Sequence, residues 1–352
     1  MYNAFFDQKV ALKPQLKHII ALLLVTFALF LAGQNKLMAQ DPVFSQFPAL
    51  PMQINPALAG NETQGEFTVI FRDQWPELAH TYINYALAWS QFFPDLQSGF
   101  GLMLMGDQQA GGLMATHSVH GYYVFAIPLG RNLAIRSGIE LNWANRRLDW
   151  ESLRFFDQID PIFGLNDPLG NPNPTGEIAP FREGVNWFDA SAGLVLFSDR
   201  FYAGLSLKHL PRPDASIFDA DEDLLPRQFT VMAGANLEFG SGRNDKAWIA
   251  PHLIYARQAD YQQIKGGFRI GKGAVLGGMG LRHAWTNIDA VELMVGLKKG
   301  LFSMNYGYDI PIGPIGTESG GAHEIALKFK VEGGNGKQQQ RKSQENLRCP
   351  VF

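Results

Sequence analysis

A chain of 352 residues with 33 acidic and 30 basic side chains carries a formal net charge of −3. That balance argues against a dedicated nucleic-acid binder and implies no polyanion partner. One cysteine, Cys349, excludes an intrachain disulfide even on an export route that permits one.

The chain opens with Lys9, Lys13 and Lys17 ahead of an uncharged run, 19–32, and Leu37-Met38-Ala39 then offers a small residue for cleavage. This order predicts a secretory signal peptide over 1–39, with a core too short for a comfortable membrane-spanning helix. Residues 40–64 follow, containing DPVFSQFPALPMQINPALAG. Here Pro42, Pro48, Pro51 and Pro56 deny both an uninterrupted helix and a central strand. We expect a periplasmic plug or collar that folds back over the barrel mouth and packs Phe44, Phe47, Leu50 and Ile54. The competing expectation is a flexible leader.

From Gly65 onward the period is two. Leu133, Ile135, Ile139, Leu141 and Trp143 share one face, while Ala134, Arg136, Gly138, Glu140, Asn142 and Ala144 share the other. The same alternation returns around Phe67, Val69 and Phe71, around Phe201 to Leu207, and around Ile325 to Val331. Small and charged residues on the inner face of long strands suit a transmembrane barrel with a polar lumen better than a sandwich.

The predicted strands are 65–74, 80–92, 99–108, 116–129, 132–148, 187–198 and 200–210 in the first half. They continue as 227–239, 247–257, 261–270, 274–284, 290–298, 301–309 and 322–331. The class is therefore an all-β, antiparallel outer-membrane barrel of about 14 strands over 65–331, an even count of the kind such barrels have. A C-terminal periplasmic tail, 332–352, completes the chain. Short connections fall after even-numbered strands and the longest gap, 149–186, follows the fifth, as expected if short turns face the periplasm and long loops face outward, with 94–98 a longer periplasmic turn and 258–260 a short outer loop as the departures.

Chemistry-bearing motifs are weak. His323-Glu324 begins a zinc-protease pattern, but Leu327 stands where the second histidine belongs and the local pattern is a strand. Asp219, Asp221 and Asp223 open like a calcium loop that Leu224 and Thr230 then break. Gly277-Gly278-Met279-Gly280 lies in a strand pattern and lacks the strand-to-helix setting of a phosphate loop; glycine there either eases barrel curvature or makes room for a lumen side chain. On the fourth strand His117 and Ser118 face opposite sides, so they are no neighbouring nucleophile and base; Ser118 and His120 share a face, and a cross-strand partner is left open. We expect no enzyme, no cofactor and no metal. The tryptophans, Trp75, Trp89, Trp143, Trp150, Trp187, Trp248 and Trp285, fall mostly near strand ends and predict interfacial anchoring.

Several segments carry a family likeness in order: QDPVFSQF and INPALAG, FRDQWPEL, LRFFDQIDPIFG, FYAGLSLKHL, PRQFTVMAGAN, GAHEIALKF and the terminal RCPVF. Together they resemble the PorP/SprF outer-membrane proteins of the type IX secretion system. The resemblance implies a non-enzymatic component that supports export or surface anchoring of a specific large adhesin of the gliding-motility type. Its implied partners are that adhesin with its C-terminal sorting domain, the secretion machinery and outer-membrane lipids, with no nucleic acid. A porin or hydrophobic-substrate transporter is the alternative.

Two of these segments supply the candidate partner-binding residues. Arg72, Asp73, Gln74 and Trp75 occupy the first outer turn and either line a binding mouth or lock the hairpin. Phe155, Phe156, Asp157, Gln158, Asp160 and Phe163 lie in the longest loop, where apolar side chains form an exposed patch or fold inward as a cap.

Overall fold

The computed structural model describes residues 41–78, 81–130, 132–180, 182–217, 224–240, 247–284, 287–313, 316–331 and 349–350. The expected signal peptide, residues 332–348 and 351–352 of the expected tail, Trp285 and the Asp219, Asp221 and Asp223 set lie outside the described residues.

Among the described residues, fifteen strand segments build the wall: β1 (Gly65–Gln74), β2 (Tyr82–Phe93), β3 (Ser98–Gln109), β4 (Met114–Pro128), β5 (Leu133–Leu148), β6 (Gly184–Ser198) and β7 (Phe201–Lys208) come first. They continue as β8 (Gln228–Ala235), β9 (Leu237–Phe239), β10 (Ala247–Gln258), β11 (Tyr261–Lys272), β12 (Val275–Ala284), β13 (Asn287–Lys299), β14 (Phe302–Pro311) and β15 (Ala322–Val331). β8 and β9 are halves of one wall strand interrupted at Asn236, since both pair with β10. Each wall strand is antiparallel to the next, and β15 pairs with β1 from Val331↔Gly65 to Ala322↔Gln74. The result is a closed fourteen-stranded barrel, and closure leaves no sheet edge unpaired.

The alternation sorts as the sequence predicts. On β1, Phe67, Val69 and Phe71 are exposed on the outside while Thr68, Ile70 and Arg72 are buried within. On β5, Leu133, Ile139, Leu141 and Trp143 face out and Ala134, Arg136 and Glu140 face in. Two tryptophans depart from interfacial anchoring. Trp187 is buried on the inner face under the Arg146 guanidinium, 5.3 Å from ring to charge, and Trp248 lies under Arg269 at 5.6 Å. A cation over each ring favours the polar lumen over the lipid interface.

The inner face is buried because the N-terminal segment fills it. Phe44, Phe47, Leu50, Met52, Ala57 and Leu58 are all at least 96 % buried, against Ile70, Met103, Val124, Val195 and Met232 of the wall. Pro51 and Pro56 start two 3₁₀ turns, Pro51–Gln53 and Pro56–Leu58, where a missing N–H costs no bond. Asn55 caps the second turn by accepting from the Ala57 N–H at 3.0 Å. Glycine clears the track: a side chain at Gly138 would run into the Ala57 backbone, and one at Gly193 into Asn55.

The segment reaches further than a cover on the mouth. Asp41 meets His209 and Gln258 at the long-loop end, and Gly60 lies against Gln91 and Gly99 toward the short-turn end. Polar wall groups along this path satisfy the backbone that the prolines keep out of any ladder. Cys349 is also buried inside, exchanging bonds with Asn61: its N–H donates to Asn61 Oδ1 and its carbonyl accepts from Nδ2, both at 2.9 Å.

Candidate functional site

Three clusters of polar wall residues hold the segment at successive heights. The largest lies near the long-loop end. Arg72 reaches Asp309 at 2.8 Å and Glu324 at 3.3 Å, with side chains 2 %, 4 % and 1 % exposed. Glu324 then accepts the backbone N–H groups of Ser45 and Gln46, each at 2.8 Å, while the Ser45 hydroxyl donates to Asp309 at 2.5 Å. Arg282 pairs with Asp309 at 2.8 Å and Asp289 at 2.6 Å, and Lys265 pairs with Glu292 at 3.0 Å while donating to the Ser45 carbonyl. The wall charges balance one another first and hold the segment second. Such a cluster tolerates burial because each carboxylate has a cation or an N–H in reach.

The second cluster is Asp41–His209–Asp189. His209 Nε2 meets Asp41 at 2.8 Å and its Nδ1 meets Asp189 at 2.6 Å. Its backbone has φ 56°, so the chain leaves the wall there and presents the ring to the segment. Burial opposes the charged imidazolium, but Asp41 together with Asp189 outweighs it and pushes His209 up to about 9. Burial also opposes ionisation of Asp41, yet His209, aided by Lys208 and Gln258, holds it below the usual carboxylate range. A raised histidine stabilises fully below its ordinary 6.5 and loses that contribution as pH rises through about 9. A lowered aspartate contributes above its ordinary 3.8 and loses it below. Seating of residue 41 should therefore be tightest between those two ordinary values. Protease cleavage near Asp41 should increase as pH passes 9 in the wild type, and His209→Gln should remove the step; a pH-independent wild type would refute the latch.

Toward the short turns, Arg136 is fully buried and donates to the carbonyls of Ala59 at 2.7 Å and Gly60 at 2.8 Å and to Asn61 Oδ1 at 2.8 Å. Lys328 likewise donates to the Pro48 carbonyl at 3.1 Å while pairing with Glu66 at 3.0 Å.

Between these clusters, Ser118 Oγ lies 2.7 Å from His120 Nε2, and His120 Nδ1 lies 2.6 Å from Glu140 Oε1. This is the hydrogen-bond order of an acyl-transfer relay, with the cross-strand partner that sequence reading left open. Around it β3, β4 and β5 pair residue for residue, so their backbone N–H groups belong to the ladder and form no oxyanion cradle. Tyr122 also donates to the same Glu140 oxygen at 3.1 Å, which locks the carboxylate as wall structure.

The residues expected at the first outer turn separate. Arg72 and Gln74 belong to the lumen cluster, joined by bonds of 3.4 and 3.2 Å, so Arg72 is held inside and is not displayed at the mouth. Period two accounts for this, since 72 and 74 share the inner face. Asp73 is half-buried, and Trp75, half-buried at φ 62°, donates its N–H to Gly321 at 2.7 Å and ties β1 to the β14–β15 loop.

The longest loop, 149–183, keeps its candidates together. Gln158 accepts the Phe155 N–H at 2.9 Å and donates to the Asn173 carbonyl at 3.0 Å. Asp157 accepts from Gly176 at 2.6 Å, and Asp160 accepts the N–H groups of Ile162 and Phe163 at 2.8 and 2.9 Å. Phe155 is half-buried against Trp150 at 5.0 Å, whereas Phe156 is 95 % and Phe163 51 % exposed. The apolar side chains therefore turn mainly to solvent.

Sequence comparison places residues 37–329 in the type IX secretion system membrane proteins PorP/SprF. The chain belongs to the PorP/SprF family. As a PorP/SprF protein it is an outer-membrane component of type IX secretion, in a family and fold that are non-enzymatic in kind. Among curated proteins, none matches it. Among solved structures it is similar to the toluene transporter TodX of P. putida, at 8 % identity and TM-score 0.45, over 80 % of this chain and 93 % of that one. It is also similar to Omp33 of Acinetobacter baumannii, at 7 % identity and TM-score 0.40, over 77 % of this chain and all of that one. A Pseudomonas aeruginosa FadL homologue follows at 9 % identity and TM-score 0.38, over 76 % of this chain and 90 % of that one.

What sequence reading missed is the lumen set: Asp41, Ser45, Arg136, His209, Lys265, Asp309 and Glu324. The available signal was charge on the inner face of strand patterns, as at Arg136 and Glu324.

Proposed function

We propose that this protein is a closed outer-membrane holder that supports export and surface anchoring of one large adhesin of the gliding-motility type. The observation that carries the reading is a lumen filled by the protein's own N-terminal segment and pinned by Arg72, Asp309 and Glu324. A barrel so filled offers its outer loops to a partner in place of a solute path. Residues 1–39 act as the signal peptide, 40–64 as the plug, and the membrane lipids contact the outward apolar band.

Deleting the gene should remove one adhesin from the cell surface with solute permeability unchanged. Lost solute uptake with normal adhesin display would instead establish a porin or transporter. Within the loop, Phe155→Ala combined with Phe163→Ala should reduce adhesin retention while the barrel inserts normally. Phe156→Ala with Phe163→Ala should do at least as much, because Phe156 is the more exposed ring. Interface aromatics of this kind contribute on the order of 2 kcal/mol or more each. Full display by a stably inserted Phe156/Phe163 double variant would remove this loop as the anchor.

A further inference from the structure

The two ends of the barrel differ in charge. Among the described residues, connections at the long-loop end, namely 75–78, 81, 110–113, 149–180, 182–183, 209–217, 224–227, 259–260, 312–313 and 316–321, hold eleven Asp and Glu against four Arg, a net of −7. Described connections at the other end, 94–97, 129–130, 132, 199–200, 240, 273–274 and 300–301, hold two acidic residues against one basic. The whole chain carries only −3, so the acidity is concentrated on one face.

Loop 149–183 contributes seven of those acids and two of the arginines. Its carboxylates build the loop. The Gly176 N–H holds Asp157 below the usual carboxylate range, the Phe163 and Ile162 N–H groups do so for Asp160, and the Asn171 side chain and N–H for Asp167. Each therefore stays charged while folding its turn. The turns so fixed point Phe156, Ile162, Leu169 and Ile178 outward at 95, 82, 88 and 88 % exposure. Exposed apolar side chains rimmed by charge mark an interaction surface.

We propose that this outer face docks a basic polypeptide surface, with apolar side chains of the partner seated among Phe156, Ile162, Leu169 and Ile178 and its Lys and Arg facing the loop carboxylates. Charge of one sign over a whole face selects the opposite sign and speeds encounter, while the apolar anchors supply most of the affinity. Phosphate-bearing lipid headgroups share the loop's sign and are repelled. The inference rests on the proposed function only in taking the outer face as a protein-binding face.

The test uses the full-length barrel in zwitterionic lipid nanodiscs, with empty discs as reference and fluorescence anisotropy as readout. Three synthetic peptides of equal length serve as probes: Lys with Leu, Glu with Leu, and Lys with Ser. The Lys–Leu peptide should bind, should weaken about tenfold or more between low and near-molar salt, and should exceed both others. The quadruple change Asp157→Asn, Asp160→Asn, Asp167→Asn and Glu177→Gln keeps the Asp side-chain oxygens that cap the turns and should clearly reduce the salt dependence; Phe156→Ser with Ile162→Ser should weaken binding at every salt concentration. Equal binding of the Glu–Leu peptide, or indifference to the quadruple change, would overturn the proposal. Adhesin display by the quadruple variant in cells separates the two readings: discriminating peptide binding with unaffected display supports the surface and refutes the adhesin as its partner. Lost display without peptide discrimination overturns the surface and leaves the adhesin reading standing.

Discussion

Deleting residues 43–51 should convert a silent barrel into a conducting one. The deletion removes Phe44, Phe47 and Leu50, each at least 97 % buried in the lumen, together with Ser45 and Gln46, whose N–H groups bind Glu324. Burying such side chains contributes about 1.5–3 kcal/mol apiece, so thermal stability should fall as well. The wall should nevertheless form. Its strands pair with one another, and Arg72–Asp309, Lys265–Glu292 and Arg282–Asp309 are wall-to-wall ion pairs. Planar bilayers should therefore show discrete conductance steps for the variant and little for the wild type, and a heat-modifiable barrel should persist on gels. Equal conductance with equal protease sensitivity would mean that the segment does not seal the lumen.

The barrel was legible because alternation is local. Strands 65–74 and 322–331 match the sequence reading at both ends, since each is bounded by glycine or by a clear change of pattern. Where tertiary contacts decide the ends, the reading slipped. β7 stops at Lys208, short of 210, because His209 turns to meet Asp41 and Asp189. β6 begins at Gly184 and not 187, where Asn186 pairs with Asn145 of β5 and their side chains bond at 2.8 Å.

The lumen cluster was only half legible. Prolines and apolar residues in 41–60 point to a segment that packs as a plug or collar, with a flexible leader as the alternative, but its depth depends on partners such as Glu324, 279 positions from Ser45. Adjacency along the chain puts Arg72 beside Asp73 and Trp75, although the alternation that places Phe71 outside already places Arg72 inside. In the loop, apolar content was plain, and its outward display follows from turns closed by Asp157, Asp160 and Asp167 across as many as 19 positions.

Arg72→Ala should loosen the segment more than any other single wall change. The guanidinium serves Asp309, Glu324, Ser45 and Gln74 at once, and removing one partner of a buried pair costs about 3–5 kcal/mol because the other charge stays behind. That charge is chiefly Glu324, since Asp309 keeps Arg282 at 2.8 Å while Glu324 retains the N–H groups of Ser45 and Gln46. Adding Glu324→Gln to Arg72→Ala should recover much of the loss, whereas adding Asp309→Asn should recover less, because it also takes one of three carboxylate partners from Arg282 and leaves it Asp289 and Glu292. Arg72→Lys should remain impaired, because an ammonium cannot span the two carboxylates as a planar fork does. The measurement is urea unfolding of the lipid-reconstituted barrel alongside protease cleavage near Ser45. A rescue by Asp309→Asn that equals the rescue by Glu324→Gln would show that the buried charge is shared across the cluster and that Glu324 alone does not govern the seat.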